Sequence, residues 1–506
     1  MIEKIYDSGL PRLAWIAVIE KNTLAVKVLH GQDVELSPSF IVEGAWSGEF
    51  SSGDFHISDH FFGSGLRIEE GAVWLVPSTA LVDKLLFCDH GQHFFASNSL
   101  VCLLAYLNAD IDPNNNYKRQ SDSILHGVDD YDPSFPVLHD QIKEFKQLFY
   151  FPVKITRAGP ERQLRDQQHP QLDFSTYYRN LRDSLISIRE NSKSPLRKKP
   201  LLAYTTVSRG YDSTATTALT RDLDIRKAFT SRRSSSGIPL WISPDAAIDD
   251  GTKIAHKFNL IVSYLDCENS EIGEDEALFI FPTPAEPEIV FYKAYKEIMA
   301  NEQPSIIFTG YHGDKLWNRN LHERYLTTAI IRGDTSGLNL SEARLNSGFI
   351  NIPIPFMYAS NIQSINKISN SKEMEPWSIQ GDYDRPIPRR IVEDHGVLRS
   401  DFGTRKKAVI SFYDRPLNQK LRMEFYQFLK QGWKINRRDI FISTTLDKFS
   451  FYSRKVFVVF CSIFGYKIST ALTSSSLNLP YKMYFWSLQK QAKIQREKLQ
   501  NTSGAL

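Results

Sequence analysis

A chain of 506 residues is long enough for two or three domains with sizeable cores. Hydrophobic residues at 42% and charged residues at 24% are those of a globular protein in water, and a net charge of +3 is too small to imply nucleic-acid binding. The four cysteines, Cys88, Cys102, Cys267 and Cys461, fall at no C-x-x-C spacing, which argues against a zinc site or a disulfide framework and suits a reducing, cytoplasmic compartment. The N-terminus shows no basic-then-apolar signal pattern, and no run reaches the roughly 18 apolar residues of a membrane span. The nearest candidate, the 11-residue VFVVFCSIFGY between Lys455 and Lys467, is expected to be a buried helix rather than a membrane-surface contact.

In chain order, residues 1–165 carry short alternating runs (LAWIAVIE, TLAVKVL, AVWLVPS, HFFASN) broken by Gly, Asp and Ser. They predict an antiparallel, β-rich domain. Residues 108–135 are polar and turn-rich, an expected exposed loop with one short helix. The polar stretch at 158–172 is an expected domain boundary. FSTYYRNLRDSLISIREN then predicts an amphipathic helix, with Tyr178, Leu181, Leu185 and Ile188 as its apolar stripe. R-K-K-P at 197–200 reads as a solvated basic face.

From residue 200 the pattern alternates: strand PLLAYTTV, a helix, strand RKAFTS, helix DDGTKIAHKFN, strand LIVSYL, helix EIVFYKAYKEIMA and strand PSIIFTG. Repeated βα units imply an open parallel sheet, whose ligands sit at the carboxyl ends of the strands. From about 340 the chain reads as mainly helical, without repeats, and its last residues, 498–506, as frayed. The expected fold is therefore α/β. Its parts are a β-rich domain (1–165), a parallel-sheet domain (170–435) and a helical extension (436–506).

Residues 200–222, PLLAYTTVSRGYDSTATTALTRD, are the most specific segment. An apolar run meets the turn S-R-G-Y-D-S, and a small-residue helix starts at once. That geometry presents backbone N–H groups to a phosphate. Ser208 and Ser213 add hydroxyl donors, Gly210 permits close backbone approach, and Asp212 can cap the helix or help to hold a magnesium ion. Arg209 either points outward or clamps the phosphates. The end of strand PSIIF carries T-G-Y-H-G-D-K-L-W, from Thr309 to Trp317. A carboxylate at Asp314 would face the first loop, and Asp212 and Asp314 could share one Mg²⁺ on a polyphosphate. His312 reads as a hydrogen-bonding spacer or as a group titrating near neutrality, and Tyr311 as a poor base.

The loop Ser208, Arg209, Gly210, Tyr211, Asp212, Ser213 resembles the pyrophosphate-binding (PP) loop, S-G-G-x-D-S, of the N-type ATP pyrophosphatases. That superfamily includes asparagine synthetases, β-lactam synthetases and lasso-peptide cyclases. Arg209 stands where the pattern has glycine. Thr309, Gly310, Asp314 and Leu316 match the T-G-E-G-x-D-E-L-F segment of asparagine synthetases, with Tyr311 in place of the glutamate that handles the amine. The segment 377–408 is similar to the C-terminal part of such proteins. There the resemblance implies a phosphate-contacting lysine at Lys406 or Lys407. Arg385, Arg389 and Arg390 can clamp a carboxylate or phosphate, but the expectation is a solvated basic face. FFASNSLVCLLAYL, residues 94–107, looks like the strand and helix that end an Ntn glutaminase domain. Such glutaminases need an N-terminal cysteine, and residue 2 here is Ile2, so a degenerate Ntn-like scaffold without glutaminase chemistry is expected.

The resemblance implies ATP and Mg²⁺ as cofactors and an adenine site along the second strand near Ala228, Phe229 and Thr230. The implied reaction is adenylation of a small-molecule or peptide carboxylate, release of pyrophosphate and transfer to ammonia or a substrate amine. Tyr311, His312, Lys406 and Lys407 are the candidate catalytic groups. Gly310 and Phe229 join the loop as nucleotide contacts. Two alternatives stay open: another AMP-forming chemistry on the same loop, such as thiolation or nucleotide modification, or a non-catalytic nucleotide-binding or scaffold homologue. A homodimer is compatible with the sequence.

Overall fold

The computed structural model describes residues 2–166, 169–232, 249–282, 284, 288–381, 383–403, 413–463 and 477–502, without the side chains of 448, 451–452, 454–463 and 502. The N-terminal part begins with β1 (Ile2–Tyr6), β2 (Trp15–Glu20), β3 (Val26–His30), β4 (Glu35–Leu36), β5 (Phe40–Trp46), β6 (Phe61–Glu69) and β7 (Ala72–Val76). It continues through β8 (Leu85–His90), β9 (His93–Ser97), β10 (Asp110–Ile111), β11 (Ser134–Leu138), β12 (Glu144–Leu148), β13 (Val153–Thr156) and β14 (Gly159–Arg162). These strands form two sheets, ordered β1-β3-β2-β9-β8-β12-β11-β10 and β14-β13-β7-β6-β5-β4, antiparallel except where β1 pairs with β3. Alternation sets the packing. Trp15, Ala17 and Ile19 of β2 point between the sheets and meet Leu66 and Leu75 from the other layer. Helix α1 (Leu100–Tyr106) starts at Ser99, whose hydroxyl accepts the Cys102 N–H, and α2 (Tyr117–Ser123) follows.

The second part is built on five parallel strands: β15 (Leu202–Thr206), β16 (Ile225–Thr230), β17 (Val262–Tyr264), β18 (Ser305–Thr309) and β19 (Phe349–Pro353). Their order is β17-β16-β15-β18-β19. The strand order reverses between β15 and β18, which places a topological switch point at their carboxyl ends. The helices are α3 (Phe174–Lys193), α4 (Tyr211–Thr220), α5 (Thr252–Lys257), α6 (Tyr292–Met299), α7 (Gly313–Leu316), α8 (Ser341–Ser347), α9 (Ile362–Ser369) and α10 (Pro386–Asp394). The C-terminal part is helical: α11 (Gln419–Trp433), α12 (Arg437–Ile463) and α13 (Leu479–Thr502). Phe62, Leu81 and Val82 of the β-rich part share one hydrophobic cluster with Leu181 and Leu185 of α3 and Phe308 of β18. Helix α13 packs back on the β-rich part, where Phe485, Leu488 and Ala492 join Leu103 and Leu104 of α1.

Three expectations need correction. The buried stripe of α3 runs through Tyr177, Leu181, Leu185 and Ile188, with Tyr178 only half-buried; i, i+4, i+8 spacing selects Tyr177. The segment after 340 is mainly helical as expected, but it also contains β19, buried at every position on both faces and therefore lacking alternation. Residues 108–135 are anchored, because Tyr117, Ile124 and Val128 are core residues. Arg197 of R-K-K-P is buried, not solvated. It donates to the Gly44 carbonyl at 2.8 Å and to Asn191 Oδ1 at 2.7 Å, and its guanidinium lies 4.4 Å from the Phe50 ring centroid. The run VFVVFCSIFGY lies outside the described side chains.

Candidate active site

The two motif segments meet at the switch point. The first turn follows β15 and opens α4 at Gly210, the N-cap residue. Inside it, Ser208 N–H donates to Ser213 Oγ at 3.0 Å, the two hydroxyls lie 2.7 Å apart, and Gly210 N–H donates to Ser208 Oγ at 3.0 Å. Arg209 N–H donates to Asp249 Oδ1 at 3.2 Å and its carbonyl accepts from Gly403 N–H at 2.7 Å. Side chains thus hold the bend in shape, and the start of α4 offers its first-turn N–H groups and positive dipole end to an anion. The second segment follows β18 and leads into α7. A β-carbon on Gly310 would sit 2.8 Å from the Asp212 carbonyl carbon and the Ser213 nitrogen. One on Gly313 would lie 2.6 Å from Asp212 Oδ1. Only glycine lets these two turns touch. Gly310→Ala is expected to cost about 1–3 kcal/mol by forcing backbone against backbone, read as a lowered urea midpoint.

Cations surround the first turn. Arg385, the N-cap residue of α10, is 3% exposed and donates through Nη1 to Asp212 Oδ2. Burial alone would lower this guanidinium. The Asp212 carboxylate outweighs it, with Asp314 adding in the same direction, so Arg385 is held above its ordinary range. Arg389, one turn on, is 2% exposed, and its Nε and Nη1 have no hydrogen-bond partner among the described residues. Tyr211 and Tyr383 stack at 4.7 Å and fix α10 against α4. The solvated basic face expected of these arginines therefore does not hold for Arg385 and Arg389. A polyanion at this place would meet oriented cations and helix dipole together.

Asp212 and Asp314 both lie beside cations. Asp212 Oδ2 accepts from Arg385, and Asp314 Oδ2 lies 3.8 Å from Lys315 Nζ, so one oxygen of each carboxylate has a cation beside it. Among the described residues no group of three or more His, Cys, Asp or Glu could hold a metal.

On the far side of Gly310 the amine-side candidates separate. His312 takes a left-handed backbone (φ 73°) and stacks on Phe356 at 4.3 Å. Burial pushes its imidazole down to about 3 against the opposing pull of Asp314, which favours the neutral ring. Tyr311 is half-buried and donates its hydroxyl to Glu288 Oε2 at 3.4 Å, a long hydrogen bond. Glu288 Oε1 accepts the Gly337 N–H at 2.8 Å. Burial pushes this carboxyl up to about 7; the Gly337 N–H and the Tyr311 hydroxyl pull it partly back. Arg332, 2% exposed, lies close by and donates to the Leu81 and Ser336 carbonyls. Sequence reasoning missed Glu288. Nothing in the stretch P-A-E-P-E-I-V ties it to Tyr311, and only the fold brings the two together.

The ring of Phe229 belongs to the core, stacked on Tyr204 at 5.3 Å, and its carbonyl accepts the Val207 N–H at 2.8 Å, so its side chain faces no ligand. Lys406 and Lys407 lie outside the described residues. Burial pushes the Cys88 thiol up to about 11 and raises Cys102 and Cys267 as well, so none of these three is a thiolate nucleophile at neutral pH.

No family model matches the chain, and no curated protein matches it. Among solved structures it is similar to glutamine phosphoribosylpyrophosphate amidotransferase from B. subtilis, complexed with ADP and GMP. Identity is 7% over 60% of this chain and 70% of that one, with a TM-score of 0.18. A likeness at that score carries no argument about this chain.

Proposed function

We propose that the chain is an ATP-dependent, AMP-forming carbon–nitrogen ligase of the asparagine synthetase-like type. It adenylates a substrate carboxylate and passes the acyl group to ammonia or an amine, without glutaminase chemistry. The observation that carries the reading is the contact of the Ser208–Ser213 turn with Gly310 and Gly313 at the sheet's switch point, with Arg385 on Asp212. The α-phosphate of ATP is attacked by the substrate carboxylate. The departing pyrophosphate rests on the start of α4, and Arg385 and Arg389 take up the charge that grows on it. Glu288, oriented by Tyr311 and the Gly337 N–H, takes the proton from the attacking amine. It thereby fills the gap left by Tyr311 in the motif.

ATP–pyrophosphate exchange tests the reading. Label exchange that depends on an added carboxylic acid supports it, and absence of both exchange and ATP binding overturns it in favour of a scaffold homologue. That second reading draws on Arg209, Tyr311 and Lys315 at positions filled by Gly, Glu and Glu in the family pattern.

Glu288 also gives a pH prediction. A carboxyl raised from 4.5 to about 7 favours the neutral folded form, so its stabilising contribution is full below about pH 4.5 and is lost as pH rises through 7. Amide formation should rise over the same interval, as the base ionises. Glu288→Gln is expected to remove the rising limb of the rate profile and to flatten the fall in melting temperature between about pH 5 and 8. An unchanged rate profile would show that another group is the base.

A further inference from the structure

The first half of α12 is built inside out. Facing the protein are Ile440 (2% exposed), Ser443 (3%) and Thr444 (6%). Facing away are Phe441 (71%), Ile442 (45%), Leu446 (59%) and Phe449 (73%). At about 100° per residue, the four outward side chains fall within an arc of roughly 140°, shared with the exposed Thr445, whose hydroxyl turns back to the Phe441 carbonyl at 2.7 Å, so the arc is mainly apolar. A helix that buries small hydroxyl residues and presents two phenylalanines, an isoleucine and a leucine is reversed relative to an ordinary surface helix, and a contiguous exposed apolar patch of this kind marks a contact surface.

Charge identifies what covers it. Residues 430–467 carry eight lysines and arginines against two aspartates, in a chain whose whole net charge is +3. Lys430, Lys434, Arg437 and Arg438, at the start of the stripe, are all exposed. A second copy of the chain docking through a two-fold axis would set this basic cluster against itself. An anionic headgroup layer would neutralise it while the stripe enters the acyl boundary, the arrangement of interfacial amphipathic helices. No helix among the described residues is long and apolar enough to cross a membrane, so the contact is one of lying on the surface.

We propose that the outward face of α12, centred on Phe441, Ile442, Leu446 and Phe449, docks the protein on an anionic lipid surface. This holds independently of the ligase assignment.

The test is co-flotation of the full chain with vesicles of phosphatidylcholine containing about 30 mol % phosphatidylglycerol, compared with phosphatidylcholine alone. The expected result is binding to the anionic vesicles that weakens steeply with added salt. It should fall about tenfold or more in Phe441→Glu/Phe449→Glu and in Arg437→Glu/Arg438→Glu, with melting temperatures unchanged because all four side chains are exposed. Three results overturn the proposal: no binding to anionic vesicles at low salt, equal binding to neutral and anionic vesicles, or a lipid-free dimer in light scattering that the Phe441→Glu/Phe449→Glu pair converts to monomer.

Discussion

Replacing Arg344 by alanine is expected to cost about 3–5 kcal/mol of folding stability, among the largest effects available to a single substitution here. Arg344 sits on α8, only 1% exposed, and reaches across from the parallel-sheet part into the β-rich sandwich. Its Nη1 and Nη2 donate to the two Glu43 oxygens at 2.7 and 3.0 Å, and its Nε donates to Asp83 Oδ1 at 2.6 Å. Glu43 Oε1 also accepts from Ser64 Oγ at 2.6 Å and from Asn98 Nδ2 at 3.2 Å, so the network runs on into the sandwich. Burial lowers the guanidinium, but Asp83 and Glu43 outweigh it and hold Arg344 above its usual range. Asp83 remains raised by burial even with Arg344 beside it. Without the arginine, two buried carboxylates face one another with no cation. The loss should therefore be greatest where Asp83, already raised by burial, would be ionised, and smaller in acid, where it is neutral. Urea midpoints at about pH 5 and pH 8 read both the size and the sign. Arg344→Lys keeps the charge but not the fork, and should recover only part of the loss. A loss under about 1 kcal/mol at both pH values would mean that water replaces the guanidinium and that the joint is looser than its geometry implies.

The second large effect concerns Arg385. Arg385→Gln is expected to lower acid-dependent ATP–pyrophosphate exchange by about 10²–10³-fold, the scale of losing one pre-oriented charge at a developing anion. The guanidinium is aimed by three things: its place at the N-cap of α10, the Asp212 carboxylate, and the Tyr383 ring 4.4 Å below it. Arg385→Lys should restore charge without geometry and recover a minor part of the rate. The same substitution leaves Asp212 without its cation, but that side chain keeps 20% of its surface in water, so the stability cost should stay well below that of the Arg344 network. Measuring the melting temperature beside the exchange rate separates the two. A protein that melts normally and exchanges label at the wild-type rate would remove Arg385 from the reaction and leave the start of α4 and Arg389 to hold the pyrophosphate.

Some of this was legible in the chain and some was not. Strand–turn–helix around Ser208–Ser213 could be read because an apolar run, a Gly-containing turn and small helix residues coincide within 20 or so positions. The meeting of that turn with Gly310 and Gly313 follows from strand order, which periodicity does not encode. Glu288 was invisible because its partner, Tyr311, lies on another element. Arg197, Arg385 and Arg389 look like surface residues by composition, and only packing shows them buried. Strand β19 escaped because FINIP is buried on both faces, and Tyr178 stood in for Tyr177 because adjacent tyrosines leave the helical phase uncertain by one position.

The return of α13 to the β-rich part has a consequence for biogenesis. Gln495 Nε2 donates to the Gly9 carbonyl at 2.9 Å, and Leu499 packs with Leu10, Leu13 and Cys102. The sandwich around Gly9 and Leu13 is thus completed by a helix more than 450 residues further along the chain. At roughly 5–20 residues per second, ribosomes need on the order of 25–100 s to travel between the two. Throughout that interval the nascent sandwich shows an apolar flank around α1, so it is a natural client for chaperones that hold unfinished chains on the ribosome.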